Sequence, residues 1–169
     1  MGRQTVALLR QLDAACTSVE DLTEATAESF DTHPDAEIIT GFPGLGSVAG
    51  ARVLAEIGDA RSRFTDAKGL KAFAWAVPVT RASGRSLAVM ARRVKNQRLV
   101  LVGYVRAFAS LTASPGARAH YDRRRADGDR HTAAQGNLFN RLLGCLHHCL
   151  TKRNPCDELA PFPTLPAPS

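Results

Sequence analysis

Between two helix-forming runs the chain reads Gly41-Phe42-Pro43-Gly44-Leu45-Gly46. Neither a helix nor a strand continues through three glycines and a proline in six residues, so the backbone must reverse here. Ala36 to Thr40 supplies one helical turn before the reversal. Ser47 is placed to cap a helix that runs to about Ile57 and stops at Gly58. Glycine at 44 and 46 opens backbone conformations closed to other residues, so amide N–H groups can converge beside the positive end of the second helix. Such a turn can hold a phosphate without reading bases. Gly44, Gly46 and Ser47 are therefore candidate nucleic-acid contacts in a helix–hairpin–helix over 38–57. The other reading is an ordinary tight αα-hairpin that touches no ligand.

The periodicity elsewhere is helical. Val6, Leu8, Leu9, Leu12, Ala15, Val19, Leu22 and Ala25 recur at three- and four-residue spacings. They predict a helical segment with a narrow, coiled-coil-like apolar seam, ended by His33-Pro34. Thr17 and Glu20 form a capping box that would divide it near Cys16. Thr65 is placed to cap a helix over 66–76. Asn96 to Leu111 predicts another, with Leu99, Val102, Val105, Phe108 and Leu111 on its buried side. Ser114-Pro115 opens a helix that Gly128 closes, and Thr132 caps a last one from Ala133 to about Lys152. Pro78 interrupts the pattern, and Val79 to Ser86 reads as an irregular loop. The fold class is mainly α: a helical connector over 1–35, a helical body over 36–153 and a disordered, proline-rich tail over 154–169. No run approaches the roughly 18 apolar residues of a membrane span, and Met1-Gly2-Arg3-Gln4 lacks a signal peptide's apolar run. A cytoplasmic protein with no membrane partner is expected, its four scattered cysteines reduced.

Charge is segregated. Residues 1–36 hold seven acids against Arg3 and Arg10, although the whole chain carries a net +6. Arg81, Arg85, Arg92, Arg93, Lys95, Arg98 and Arg106 then follow without one acid among them, and Arg118, Arg123, Arg124, Arg125 and Arg130 form a second cluster. Basic surface concentrated this way suits a polyanion, usually nucleic acid; solvated helix faces are the alternative. In the loop, Ser83 stands between Arg81 and Arg85 and before Gly84. A serine there could attack a phosphodiester while the arginines neutralise the developing charge. It could also simply touch phosphate, because no His, Asp or Glu lies between Asp66 and His120 to activate it. Cys145, His148 and Cys149, with His147 adjacent, lie on one helical face. Zinc normally draws four ligands from two elements, and the other obvious ones are Cys156, His131 and His120, so no metal is assigned and a buried small-residue face is read instead.

From about Ile38 to Asp157 the chain resembles the C-terminal domain of the DEDD-type insertion-sequence transposases, the bridge-RNA-guided recombinases. The matching stretches, in order, begin with Gly41 to Gly46, Ala55-Glu56-Ile57-Gly58-Asp59, and Phe64 with Phe73-Ala74. They continue with Pro78-Val79-Thr80-Arg81-Ala82-Ser83-Gly84, Val94-Lys95-Asn96-Gln97-Arg98-Leu99, Ala119-His120-Tyr121-Asp122, and His131 with Leu142 to His148. The resemblance implies that Ser83 is a nucleophile forming a transient phosphoserine link to DNA, with Arg81 and Arg85 steadying the phosphate. It implies DNA and a structured guide RNA as partners of Gly44, Gly46, Ser47, Arg81, Arg85, Arg92, Arg93, Lys95 and Arg98. The family pairs this domain with an N-terminal RuvC-like domain whose four acidic residues bind magnesium. Nothing of that domain is read in this sequence, so no cofactor is expected in this chain. The acids of residues 1–36 read as a connecting coiled coil through which chains would pair. The segment Phe73-Ala74-Trp75-Ala76-Val77-Pro78 departs from the family, which has a glycine and a smaller residue in its middle. The expected function is the DNA-binding part of a transposase or recombinase, without independent activity. The competing readings are a non-catalytic nucleic-acid-binding remnant or competitor of the full enzyme, and a metal-stabilised interaction domain using Cys145 and Cys149.

Overall fold

The structure, a computed structural model, describes residues 2–74, 79–90, 95–155 and 162. Its elements are α1 (Gly2–Asp31), α2 (Ala36–Thr40), α3 (Ser47–Ile57), a 3-10 turn (Arg61–Arg63), α4 (Ala67–Phe73), β1 (Val79–Ser83), β2 (Ser86–Met90), α5 (Gln97–Ala113), α6 (Pro115–Ala126) and α7 (His131–Lys152). The mainly helical expectation holds. Among the described residues, no single helix is long and apolar enough to cross a membrane.

The core is organised on α7. Ala134, Leu138, Leu142, Leu146 and Cys149 form one buried row, and Gln135, Phe139 and Leu143 a second beside it. Two adjoining rows make a stripe wide enough to seat several neighbours, and α2, α4, α5 and α6 all pack on it. The approach of α5 is tight, because the Phe139 ring occupies the space that a Cβ on Gly103 would take. Gln135 Nε2 donates to the Tyr104 carbonyl at 3.0 Å across the same contact.

This contact also corrects the buried side of α5. Leu99 is buried as expected, and Val102 and Leu111 are partly covered, but Val105 and Phe108 are 64% and 62% exposed. The buried face is Leu99, Gly103, Arg106, Ala107 and Ser110. Small side chains let the two backbones come together, and that gain outweighs burying two larger residues on the opposite side. At the end of α5, Ser114 serves two helices. Its N–H donates to Ser110 O at 2.9 Å, and its Oγ accepts from Ala117 N at 3.1 Å, capping α6. Pro115 follows as the first residue of α6, and the chain turns through 107°.

α1 is one continuous helix rather than two broken near Cys16. The Thr17 hydroxyl donates to Asp13 O and the Ser18 hydroxyl to Ala14 O, four residues back, so neither caps a new helix. Of its residues only Phe30 is buried; its ring lies beside Gly50 of α3, where a Cβ would sit 2.7 Å from Phe30 Cζ. Three helix starts also differ from expectation. Asp66, not Thr65, caps α4, its carboxylate accepting from Gly69 N at 2.7 Å. Gly46, not Ser47, is the N-cap of α3, and Arg130, not Thr132, that of α7.

The segment read as a loop is an antiparallel hairpin, running from Val79↔Met90 to Ser83↔Ser86. Pro78 precedes the first strand residue, and Gly84, with φ 54, is the first of the two turn residues. That place suits glycine in a two-residue hairpin turn, so neither breaker interrupts the ladder. Within the stretch read as a disordered tail, Phe162 is buried; residues 156–161 and 163–169 lie outside the described residues. So does Trp75.

Gly103→Ala should destabilise the fold by about 1–3 kcal/mol through overpacking against Phe139. Urea unfolding followed by circular dichroism reads this as a lower midpoint with an unchanged slope. A midpoint equal to that of the wild type would mean that the α5–α7 contact is looser than described.

Candidate nucleic-acid interface

The turn between α2 and α3 is anchored from beneath. Phe42 and Leu45 are 1% and 5% exposed, and Phe42 N donates to Ile39 O and Leu45 N to Phe42 O, both at 3.2 Å. The Arg106 guanidinium, itself 3% exposed, lies 4.5 Å from the centre of the Phe42 ring. The two glycines of the candidate site differ in kind. Gly44 adopts φ 80, and a Cβ there would meet Arg106 O and Ser110 N at 3.2 Å. It is a packing glycine that lets the turn rest on α5. Gly46 has φ −88 and ψ 175, open to any residue, and nothing lies within 4 Å of its Cβ position.

Gly46 is exposed and starts α3 without a side-chain cap. Gly50 N is the amide that reaches back to Gly46 O, at 2.8 Å, so the amides of Ser47, Val48 and Ala49 precede the first intrahelical bond. They form the positive end of the helix, and next to it, on the Gly46 side, lies an open concavity of about 460 Å³ formed by Thr40, the turn residues and Ala113. Ser47 is half-buried at the first helical position.

Ser83 stands at the far end of the hairpin, paired with Ser86. Residues Ala82 to Ser86, Arg85 among them, are exposed. Arg81 lies on β1 opposite Ala88, and its side chain is outside the described residues, as are Arg92 and Arg93 entirely. Lys95 is half-buried just before α5. Arg98 extends into solvent on the first turn of α5, its Nη1 3.7 Å from Glu56 Oε1, a distance and exposure at which the pair contributes little.

The residue that fixes this corner was not a site candidate. Asn96 caps α5, accepting from Leu99 N at 2.9 Å, while its Nδ2 donates to Glu56 Oε2 at 2.5 Å and its N–H to Phe73 O at 2.9 Å. It therefore ties α3, α4 and α5 together between Lys95 and Arg98 of the basic run. Only the Asn N-cap signature was visible in the sequence; its reach to Glu56, forty residues away, was not.

The second basic cluster, on α6, is partly self-neutralised. Arg118 Nε meets Asp122 Oδ2 at 2.8 Å, and Arg124 Nη2 meets Asp129 Oδ2 at 2.6 Å. Arg123 Nη2 lies 3.1 Å from His120 Nδ1. Burial first, and then Arg141, Arg123 and Arg124, hold the His120 pKa below the usual histidine range. Burial pushes the Cys145 thiol up. Among the described residues no group of three or more His, Cys, Asp or Glu side chains could hold a metal ion; Cys156 lies outside them.

The structure thus brings Gly44, Gly46 and Ser47 together and puts Ser83 and Arg85 on a separate, projecting ribbon. Comparison with known proteins joins these elements in one family. The family model for transposases of the IS116/IS110/IS902 family matches residues 36–122, from the start of α2 into α6, and so spans both the turn and the hairpin. A Streptomyces coelicolor mini-circle protein named as the transposase for IS117 is 58% identical over 164 residues, covering 97% of this chain and 40% of that protein. The uncharacterized 42 kDa protein of insertion element IS900 from Mycobacterium paratuberculosis is 36% identical over 140 residues, covering 82% of this chain and 35% of its own length. The uncharacterized 43.6 kDa protein of IS110, again from S. coelicolor, is 37% identical over 118 residues, covering 69% of this chain and 29% of that protein. The chain spans two fifths or less of the length of each of these relatives, and it belongs to the IS116/IS110/IS902 family of insertion-sequence transposases.

Proposed function

We propose that this chain is the DNA-handling, serine-bearing C-terminal part of an insertion-sequence transposase. The observation that carries the reading is the position of Ser83, exposed at the tip of a projecting hairpin with Arg85 beside it, within a chain of this family. A nucleophile for a DNA strand must approach a backbone phosphorus closely, and an exposed hairpin end presents its hydroxyl without neighbouring surface in the way. Ser83 Oγ would attack the phosphodiester, an O–P bond forming while the bond to the leaving deoxyribose oxygen breaks, and the serine proton would leave to a base. Arg81 and Arg85 would neutralise the added charge.

That base is not on the hairpin, because the chain has no His, Asp or Glu between Asp66 and His120. The described residues also offer no carboxylate set for magnesium. In the full enzyme the acids of a RuvC-like domain would hold that ion, and no step assigned to this chain runs through it. The second reading, favoured by the want of a His, Asp or Glu between Asp66 and His120, is a non-catalytic nucleic-acid-binding protein that competes with the full transposase.

DNA binding would rest on a helix–hairpin–helix over 38–57, with a phosphate at the amides that start α3, and on the basic positions Arg92, Arg93, Lys95 and Arg98. A structured guide RNA would use the same basic surfaces. Homo-oligomers would form through α1, whose Val6, Leu8, Leu9, Leu12, Val19 and Leu22 are all exposed.

Four outcomes follow. In an enzyme that carries this domain together with a RuvC-like domain, Ser83→Ala should abolish strand transfer while leaving DNA affinity unchanged; transfer at the wild-type rate would remove Ser83 from the chemistry. Affinity for duplex DNA should fall steeply with salt. Gly46→Asp should keep or raise the melting temperature by capping α3, yet weaken DNA binding by about tenfold through a lost charged contact. Unchanged affinity would show that no phosphate sits at the α3 N-terminus. Leu12→Glu should shift the chain toward monomer in light scattering. A monomeric wild type would end the pairing assignment for α1.

A further inference from the structure

α6 and α7 meet at a slot whose walls differ from the aliphatic core around it. Gly116 forms the floor: a Cβ there would lie 2.7 Å from Phe162 Cβ and 3.0 Å from its Cγ and Cδ2. One helical turn further along α6, the His120 ring stands 5.9 Å from the Phe162 ring, tilted by 47°. From α7, the Arg141 guanidinium faces the same ring at 5.8 Å. A glycine floor, an imidazole wall and a guanidinium wall make a space for a flat aromatic group, and Phe162 fills it, 7% exposed.

Phe162 satisfies the shape of the slot but not its chemistry. Arg123 Nη2 can only donate, so His120 Nδ1, 3.1 Å away, accepts and Nε2 carries the hydrogen. That Nε2 is buried and has no acceptor among the described residues. A phenyl ring has no in-plane acceptor to offer, and a buried donor left unmade is a standing cost. The surroundings are cationic: Arg118, Arg123, Arg124 and Arg125 line the same helix. Burial, and then Arg141, Arg123 and Arg124, lower the His120 pKa and so favour the neutral ring, which has one donor and one acceptor.

We propose that the Gly116–His120–Arg141 slot is a binding site for one unpaired nucleobase of a single strand, which takes the place of Phe162. The inference rests on the nucleic-acid reading above. A base can pack against imidazole and guanidinium groups in the place Phe162 now occupies. Its edge also carries the ring nitrogen or carbonyl acceptor that His120 Nε2 lacks, and the α6 arginines meet the phosphates on either side. An aromatic peptide side chain would match the slot as well as Phe162 but would leave Nε2 unmet, and its backbone would not need the arginines.

The test is fluorescence polarisation of the full chain with short single strands, as DNA and as RNA, alongside abasic strands of equal length. Phe162→Ala should bind base-bearing strands about tenfold more tightly than the wild type, the scale of one stacked base. Abasic strands should bind both proteins alike, and adding His120→Ala should erase the gain. A preference between the DNA and RNA strands identifies the natural source. No gain, or an equal gain on abasic strands, overturns the slot while leaving phosphate binding intact. Absence of binding by any strand at low salt overturns both the slot and the nucleic-acid reading. If circular dichroism shows Phe162→Ala unfolded, the readout moves to the histidine-ring NMR signals of the wild type titrated with AMP and with ribose 5-phosphate. A shift at His120 with AMP alone supports the slot, and a shift with both or neither overturns it.

Discussion

Phe139 of α7 lies across the backbone of α5 at Gly103, and the position of nearly everything else follows from how close those two helices come. Their approach decides which side of α5 is buried, and so turns Arg106 inward beneath Phe42 and leaves Leu101, Val105 and Phe108 outward. It also sets where α5 must end, at the Ser114 corner from which α6 turns back along α7. The turn at residues 41–46 then rests on the α5 backbone through Gly44. A site that looks like an independent loop in the sequence is thus held by the packing of two helices that begin more than fifty residues later.

The candidate elements divide into a rigid part and a projecting part. The start of α3 is fixed by a buried phenylalanine, a buried leucine and a stacked guanidinium, which suits a contact that sets register on a phosphate backbone. The hairpin carrying Ser83 is a lone two-stranded ribbon, and its two strands pack chiefly on each other. A two-stranded ribbon is marginal on its own, so its placement on a substrate depends on what else grips the strand. Under the proposed reading, that arrangement leaves the serine chemistry to be completed by whatever else holds the strand.

Much of the helical plan was legible because its signals are local. Asn96, Ser114-Pro115 and Gly58 each act within a turn of their own position. The hairpin was missed because Pro78 and Gly84 were weighed as breakers, when their positions, just before the ribbon and in its turn, are where a hairpin puts such residues. Two five-residue runs separated by Gly-Arg were the available signal. The buried side of α5 was misread because large apolar residues outvoted the small ones, although close approach depends on the small ones. The Glu56–Asn96 bond and the seating of Phe162 beside His120 had no local trace. The resemblance placed Ser83 and the turn in one family domain, but their arrangement in space came only with the structure.

The C-terminal end of α1 packs on α3, with Phe30 buried there, while Val6, Leu8, Leu9 and Leu12 towards its other end are exposed. A continuous helix of 30 residues is roughly 45 Å long at 1.5 Å per residue. It is therefore a lever of set length, and also of set phase, because each inserted residue would swing its seam by about 100° around the axis. If a partner is seated along that seam, as proposed, only length changes near seven residues would restore the angle. On that reading the outer, acidic face of the helix is free to change in composition, whereas the seam and the number of turns are not.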